Sequence, residues 1–181
     1  MRILKEETIA IVVDIQERLF PHIHEHEQLN KNTEILVDGL KALGVPMMVT
    51  EQYKKGLGNT IESIQTKVEG CPTFEKTAFS CCDDASFMHK MEEGSHKRYV
   101  ILFGIEAHIC LLQTAIDLKE RGFQPVIIED CVGSRNPENK RIAISRMLQE
   151  GVLVSSYESI LFELCRYAGS ETFKAISKLV K

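Results

Sequence analysis

The stretch from Lys97 to Gly122, KRYVILFGIEAHICLLQTAIDLKERG, most constrains what this chain can fold into. Tyr99-Val100-Ile101-Leu102-Phe103 is a continuous apolar run with β-branched and aromatic members, followed directly by Gly104. Such a run reads as a strand buried on both faces, the kind that parallel sheets use. Beyond Ala107 the period changes. Leu111, Leu112, Ala115, Ile116 and Leu118 make a helical apolar stripe, with Gln113, Asp117, Lys119, Glu120 and Arg121 on the opposite face. Gly122 supplies the stop, and Lys119 and Arg121 suit the negative end of the helix dipole. The spacing predicts a five-residue turn, Gly104 to His108, with Cys110 in the first helical turn. Unpaired N–H groups at a helix start favour a thiolate, yet a free cysteine is also among the residue types most often buried for packing. The turn alone leaves both readings open.

Taken in order, the rest of the chain repeats this strand–helix alternation. Thr8 to Val13 is a buried-strand run ending on Asp14, a carboxylate that either caps the next turn or helix or points into the mouth at the sheet edge. Gln16 and Phe20 come shortly after it and are candidate pocket residues. His22, His24 and His26 alternate, but no Cys or Asp sits at ligand spacing beside them, so they read as a solvated segment. Leu29 to Leu43 reads as an amphipathic helix stopped by Gly44, and Val45 to Thr50 as a second strand. Tyr53 lies in the loop beyond it, which lacks a full phosphate-binding pattern. A short helix is expected from Thr60 to Val68 and an extended segment from Cys71 to Ser80, whose Lys76 is either an ordinary surface lysine or, ending a strand beside an aspartate and a thiolate, a working charge. Asp83 or Asp84 caps a helix through Phe87 and Met91 to Gly94. Pro125 to Glu129 is a fifth strand and Asp130 to Asn136 its loop, carrying Ser134 and Arg135. A helix from Pro137 to about Glu150, a strand from Gly151 to Ser155, and helices over Ser156–Ala168 and Glu171–Val180 complete the chain. The expected architecture is a single α/β domain over residues 1–181, a three-layer doubly wound fold with a six-stranded parallel sheet flanked by helices.

Composition narrows the function. A net charge of −4 gives no basic footprint for nucleic acid. No apolar run approaches the ~20 residues of a membrane span. The N-terminal MRILKEET lacks the apolar core of a signal peptide, and the chain's six cysteines then suggest free thiols in a reducing cytoplasm. Cys81 and Cys82 are adjacent, which suits packing better than a disulfide.

Asp14, Lys76 and Cys110 thus fall at the ends of three strands. The surrounding pieces are IVVDIQ (11–16), FEKTAFS (74–80) and GIEAHIC (104–110) leading into QTA (113–115). Together they resemble the isochorismatase-like hydrolase (cysteine hydrolase) superfamily, and the ending, SILFEL through FKAISKL, resembles its isochorismatase domain-containing branch. The resemblance implies a catalytic triad, with Cys110 as nucleophile, Asp14 as general base and acid, and Lys76 holding both charges in place. It also implies a cis peptide between Ile105 and Glu106, aiming the N–H groups of Glu106 and Cys110 at a developing oxyanion. Nicotinamidases of the superfamily carry an Asp-x-His metal motif where this chain has Thr50-Glu51-Gln52-Tyr53, so no catalytic metal and no cofactor are expected. Relatives that cleave the vinyl ether of isochorismate commonly lack the cysteine. Glu106 and His108 depart from the small and hydroxyl residues that amidases often place in this turn. The resemblance further implies a homo-oligomer, a dimer or larger.

The leading expectation is a hydrolase of a small amide-like or ester-like molecule, working through an acyl-enzyme on Cys110. Its competitors are vinyl-ether hydrolysis by Asp14, with Cys110 a bystander, and a non-catalytic interaction module that keeps the fold. Tyr53, Ser134 and Arg135 join Gln16 and Phe20 as candidate substrate contacts, Arg135 as a candidate carboxylate partner.

Overall fold

The computed structural model describes residues 2–93 and 96–181. The predicted helix stop at Gly94 lies outside the described residues. Strand β1 (Thr8–Val13) is apolar from Ile9 onward and wholly buried. After a 3₁₀ turn at Phe20–His22, helix α1 (His26–Leu43) runs to Gly44, whose left-handed φ of 72° closes it. Strand β2 (Met47–Gln52) leads through two single helical turns, α2 (Lys54–Leu57) and α3 (Glu62–Gln65), to strand β3 (Thr73–Lys76). The helix expected over 60–68 shrinks to one turn because Thr60 is held extended. It bridges Gln16, and both its N–H and its hydroxyl donate to the Glu51 carboxylate.

Helix α4 (Ala85–Glu93) precedes strand β4 (Tyr99–Ile105), which is buried at all of its seven residues. A π-helical turn (Ala107–Leu111) then runs into α5 (Leu112–Glu120). Strand β5 (Gln124–Gly133), helix α6 (Pro137–Gln149), strand β6 (Leu153–Ser155) and helices α7 (Tyr157–Cys165) and α8 (Glu171–Leu179) complete the order. The segment 130–133, expected as loop, continues β5. Gly104 pairs with Val132 and Ile105 with Gly133, after an irregularity between Leu102 and Gly104.

All six strands are parallel, in the order β3-β2-β1-β4-β5-β6. Helix α1 packs on α7 and α8, while α5 packs on α6, giving the outer layers of a doubly wound fold. Connections from β1 and β4 run to opposite sides, so the crevice at their C-terminal ends is the place where such sheets receive ligands. Gly104 sets the spacing there: at φ 143°, a Cβ would lie 2.0 Å from the Val13 carbonyl oxygen.

Candidate active site

Three central strands end alike. Asp14 follows β1 at φ 54°, Tyr53 follows β2 at φ 37° and Glu106 follows β4 at φ 57°. Non-glycine residues adopt this left-handed region only where their surroundings compensate, and such residues gather at functional sites. Each one turns the chain off the sheet edge at the switch point.

Asp14 is 2% exposed and Lys76 3% exposed, and the Lys76 Nζ donates to Asp14 Oδ2 at 2.7 Å. The other carboxylate oxygen, Oδ1, accepts from the Thr50 hydroxyl at 2.7 Å. Lys76 also donates to Gln52 Oε1 at 2.7 Å and to the carbonyls of Phe79 (3.1 Å) and Ala78 (3.3 Å). A buried ion pair holds only when its remaining hydrogen-bonding capacity is filled, and here both partners are filled. Burial works against the ammonium, but the Asp14 charge and the nearby Cys81 and Cys110 outweigh it, so the Lys76 pKa stands above the ordinary lysine value.

Cys110 is 5% exposed, in the π-helical turn, close enough to Asp14 and Lys76 for both charges to act on its thiol. Burial and then the Asp14 charge push its thiol well above the usual range, and Lys76 offsets only part of this. Burial thus works against the thiolate that the helix start was expected to favour, and Lys76 is already paired with Asp14. Asp14, Lys76 and Cys110 do come together.

The oxyanion turn is also corrected. No peptide bond among the described residues is cis. Gly104 and Ile105 belong to β4, and the chain leaves the sheet at the left-handed Glu106. The Glu106 carboxylate is buried and engaged. It accepts from the Arg135 backbone N–H at 3.1 Å and from its guanidinium at 3.0 and 3.2 Å.

The candidate pocket residues divide. Gln16 is fully buried and its amide is spent on structure, with Nε2 on the Gly58 and Gln52 carbonyls and Oε1 on the Gln52 N–H. Phe20 is buried edge-on against the His26 ring at 5.6 Å. Ser134 is buried and its hydroxyl meets His108 Nδ1 at 3.0 Å. The Arg135 guanidinium donates to Glu106 through Nε and Nη2, while its side chain stays 56% exposed. Tyr53 is half-exposed, and its N–H donates to the Lys76 carbonyl, which keeps it at the mouth.

Three residues that matter went unread in the sequence. Thr50 and Gln52, two apart on β2, share a face and orient Asp14 and Lys76. Thr114, one turn beyond Cys110, accepts from the Cys81 N–H at 3.0 Å. The available signal was polar residues at the end of an otherwise apolar strand. Between Thr50 and Gln52, Glu51 faces the other way, and its carboxylate is held by Lys54 at 2.7 Å and by Thr60. Burial opposes its charge, but these donors prevail and lower its pKa. Among the described residues no group of three or more His, Cys, Asp or Glu side chains is placed to hold a metal ion.

With this geometry in view, the class is defined by comparison. Residues 8–159 match the isochorismatase domain family, and the chain belongs to the isochorismatase-like hydrolase family. The chain is 33% identical to isochorismatase family protein 1B of Dictyostelium discoideum, over 99% of this chain and 89% of that one. It is 34% identical to isochorismatase domain-containing protein 2 of Danio rerio, again over 99% and 89% of the two chains. Among solved structures it is similar to the MAR1 ribonuclease of Caenorhabditis elegans, with a TM-score of 0.93 and 33% identity over 99% of this chain and 92% of that one.

Proposed function

We propose that the protein is a metal-independent cysteine hydrolase of a small amide-like or ester-like substrate. The observation that carries this reading is an Asp14 carboxylate held by Lys76 and Thr50 at 2.7 Å each, with the buried Cys110 thiol near enough to feel its charge. As the sulfur attacks the substrate carbonyl, the thiol proton passes to Asp14, so the thiolate exists only as the new bond forms. Asp14 then gives that proton to the leaving amine or alcohol, which departs as the thioester forms. Water, deprotonated by Asp14, attacks the thioester. The acid leaves, and the proton returns to sulfur. The oxyanion is assigned to N–H groups of the turn after Glu106, whose first residues have no intrahelical carbonyl to bond.

Lys76 holds the Asp14 carboxylate in position, and its own raised pKa keeps the ammonium charged at neutral pH. The ribonuclease description of the worm relative is not carried over, because a net charge of −4 gives no overall basic footprint for a nucleic acid. We place the protein in the cytoplasm as a homo-oligomer on its free thiols and its family. Among the described residues no helix is long and apolar enough to cross a membrane.

The vinyl-ether reading has one observation in its favour, since a thiol kept protonated is what a bystander would show. A panel of small amides and esters beside isochorismate, assayed with Cys110→Ala and Asp14→Asn, separates the two. The cysteine mechanism requires both variants to lose hydrolysis of the amide or ester by at least ~10³-fold. Isochorismate cleavage that survives Cys110→Ala and fails only in Asp14→Asn would replace it.

A further inference from the structure

Glu106 is an odd residue for its position. It carries a buried carboxylate, has a side chain bulkier than the left-handed region favours, and opens the turn that bears Cys110. The structure shows what it holds. One carboxylate oxygen accepts from the backbone N–H of Arg135, and the other accepts from both Nε and Nη2 of the same residue. His108, two residues on, meets Ser134 Oγ through Nδ1 at 3.0 Å, while its Nε2 lies 3.4 Å from Asn139 Nδ2 and 3.7 Å from Glu106 Oε2. Ser134 in turn accepts the His24 N–H at its carbonyl, at 3.1 Å. The cysteine turn is thereby fastened by two side chains to the connection between β5 and α6.

None of these groups lies among the partners of Asp14 or Lys76. They brace the turn independently of that pair's own hydrogen bonds. A left-handed glutamate returns to ordinary backbone geometry when nothing restrains it, and that rotation would reorient the peptide before it and carry Cys110 off Asp14. We propose that Glu106 and Arg135 are positioning residues: their two-point ion pair holds the Cys110 thiol against its base. The inference rests on the cysteine-hydrolase reading, since it concerns how that nucleophile is aimed.

The test is competitive alkylation with iodoacetamide at neutral pH, read peptide by peptide across the six cysteines, in wild type, Glu106→Gln, Arg135→Ala and Arg135→Lys. In wild type, Asp14 accepts the thiol proton and Cys110 reacts faster than the other buried thiols, Cys81, Cys82 and Cys131. In Glu106→Gln and Arg135→Ala, Cys110 slows at least ~10-fold while the other three stay protected, and Arg135→Lys recovers part of the rate. With a hydrolysed substrate, kcat falls by a similar factor and KM stays within about twofold. Cys110 reacting in Glu106→Gln as in wild type would overturn the positioning role and leave the nucleophile intact. A wild-type Cys110 no faster than its buried neighbours would overturn the hydrolase reading, and the positioning role with it. Exposure of all four buried thiols in Glu106→Gln would show a general loss of packing and would also overturn the inference. The Arg135→Ala variant serves as an independent check, because it removes an exposed side chain while leaving the backbone donor to Glu106 in place.

Discussion

Lys76 meets four acceptors with three protons, which makes it the hinge of the site's electrostatics. Removing its charge strands the Asp14 carboxylate in the interior. Lys76→Met is therefore expected to destabilise the fold by about 3–5 kcal/mol, a loss that a denaturant titration would register. Thr50→Val removes the donor to Asp14 Oδ1 with little change in volume. It should cost about 1–3 kcal/mol and slow turnover, whereas Thr50→Ser should retain most of both. Equal stability of Thr50→Val and wild type would show that the hydroxyl does not hold the carboxylate. Asp14 and Cys110 stood out in the sequence at the ends of apolar patterns, but Lys76 did not, and only the family resemblance joined the three as a candidate triad. Thr50 and Gln52 did not stand out either, since their part is set by register: Val13 lies beside Thr50, and Gln52 beside Lys76. The pairing of Arg135 with Glu106 was hidden as well, because the two lie 29 positions apart and no local pattern joins them.

At the scale of elements, the alternation of strand and helix was legible because buried parallel strands read as short apolar runs. Their extents were less so. Strand β5 runs on to Gly133 because residues 132–133 pair with the end of β4, a long-range contact that propensity does not report. The turn before Cys110 was overestimated because Gly104 looked like a breaker. In the structure it is a strand residue that lets β4 approach β1. Any side chain there meets backbone rather than a movable neighbour. Gly104→Ala is expected to lose about 3 kcal/mol or more of stability, or to fail to accumulate as soluble protein. A melting temperature within a degree or two of wild type would mean that the strands can separate at this point without penalty.

The whole molecule buries several thiols in their neutral form, and this sets its response to pH. Burial first, and then the Asp14 charge, pushes Cys81 up to about 11, and burial pushes Cys82 up to about 12. A folded-state pKa above the unfolded value means stability that is fully present below ~8.5 and is lost as pH rises through the folded value. For Cys81 this amounts to about 2–3 kcal/mol between pH 9 and 11, and Lys76, also raised, acts in the same direction above pH 10. Unfolding free energy should fall steeply above pH 9, and Cys81→Ala should flatten that fall. An unchanged alkaline slope in Cys81→Ala would remove the buried thiol as its source.

The catalytic claim concerns one bond, between the Cys110 sulfur and an acyl carbon. Peptide mass spectrometry of the protein quenched during turnover of an activated acyl ester tests it directly. The account predicts an acyl group on the peptide containing Cys110, formed as product is released, decaying when substrate is exhausted, and missing in Asp14→Asn. An unmodified Cys110 during active turnover, or an acyl group on another cysteine with activity preserved in Cys110→Ala, would contradict it.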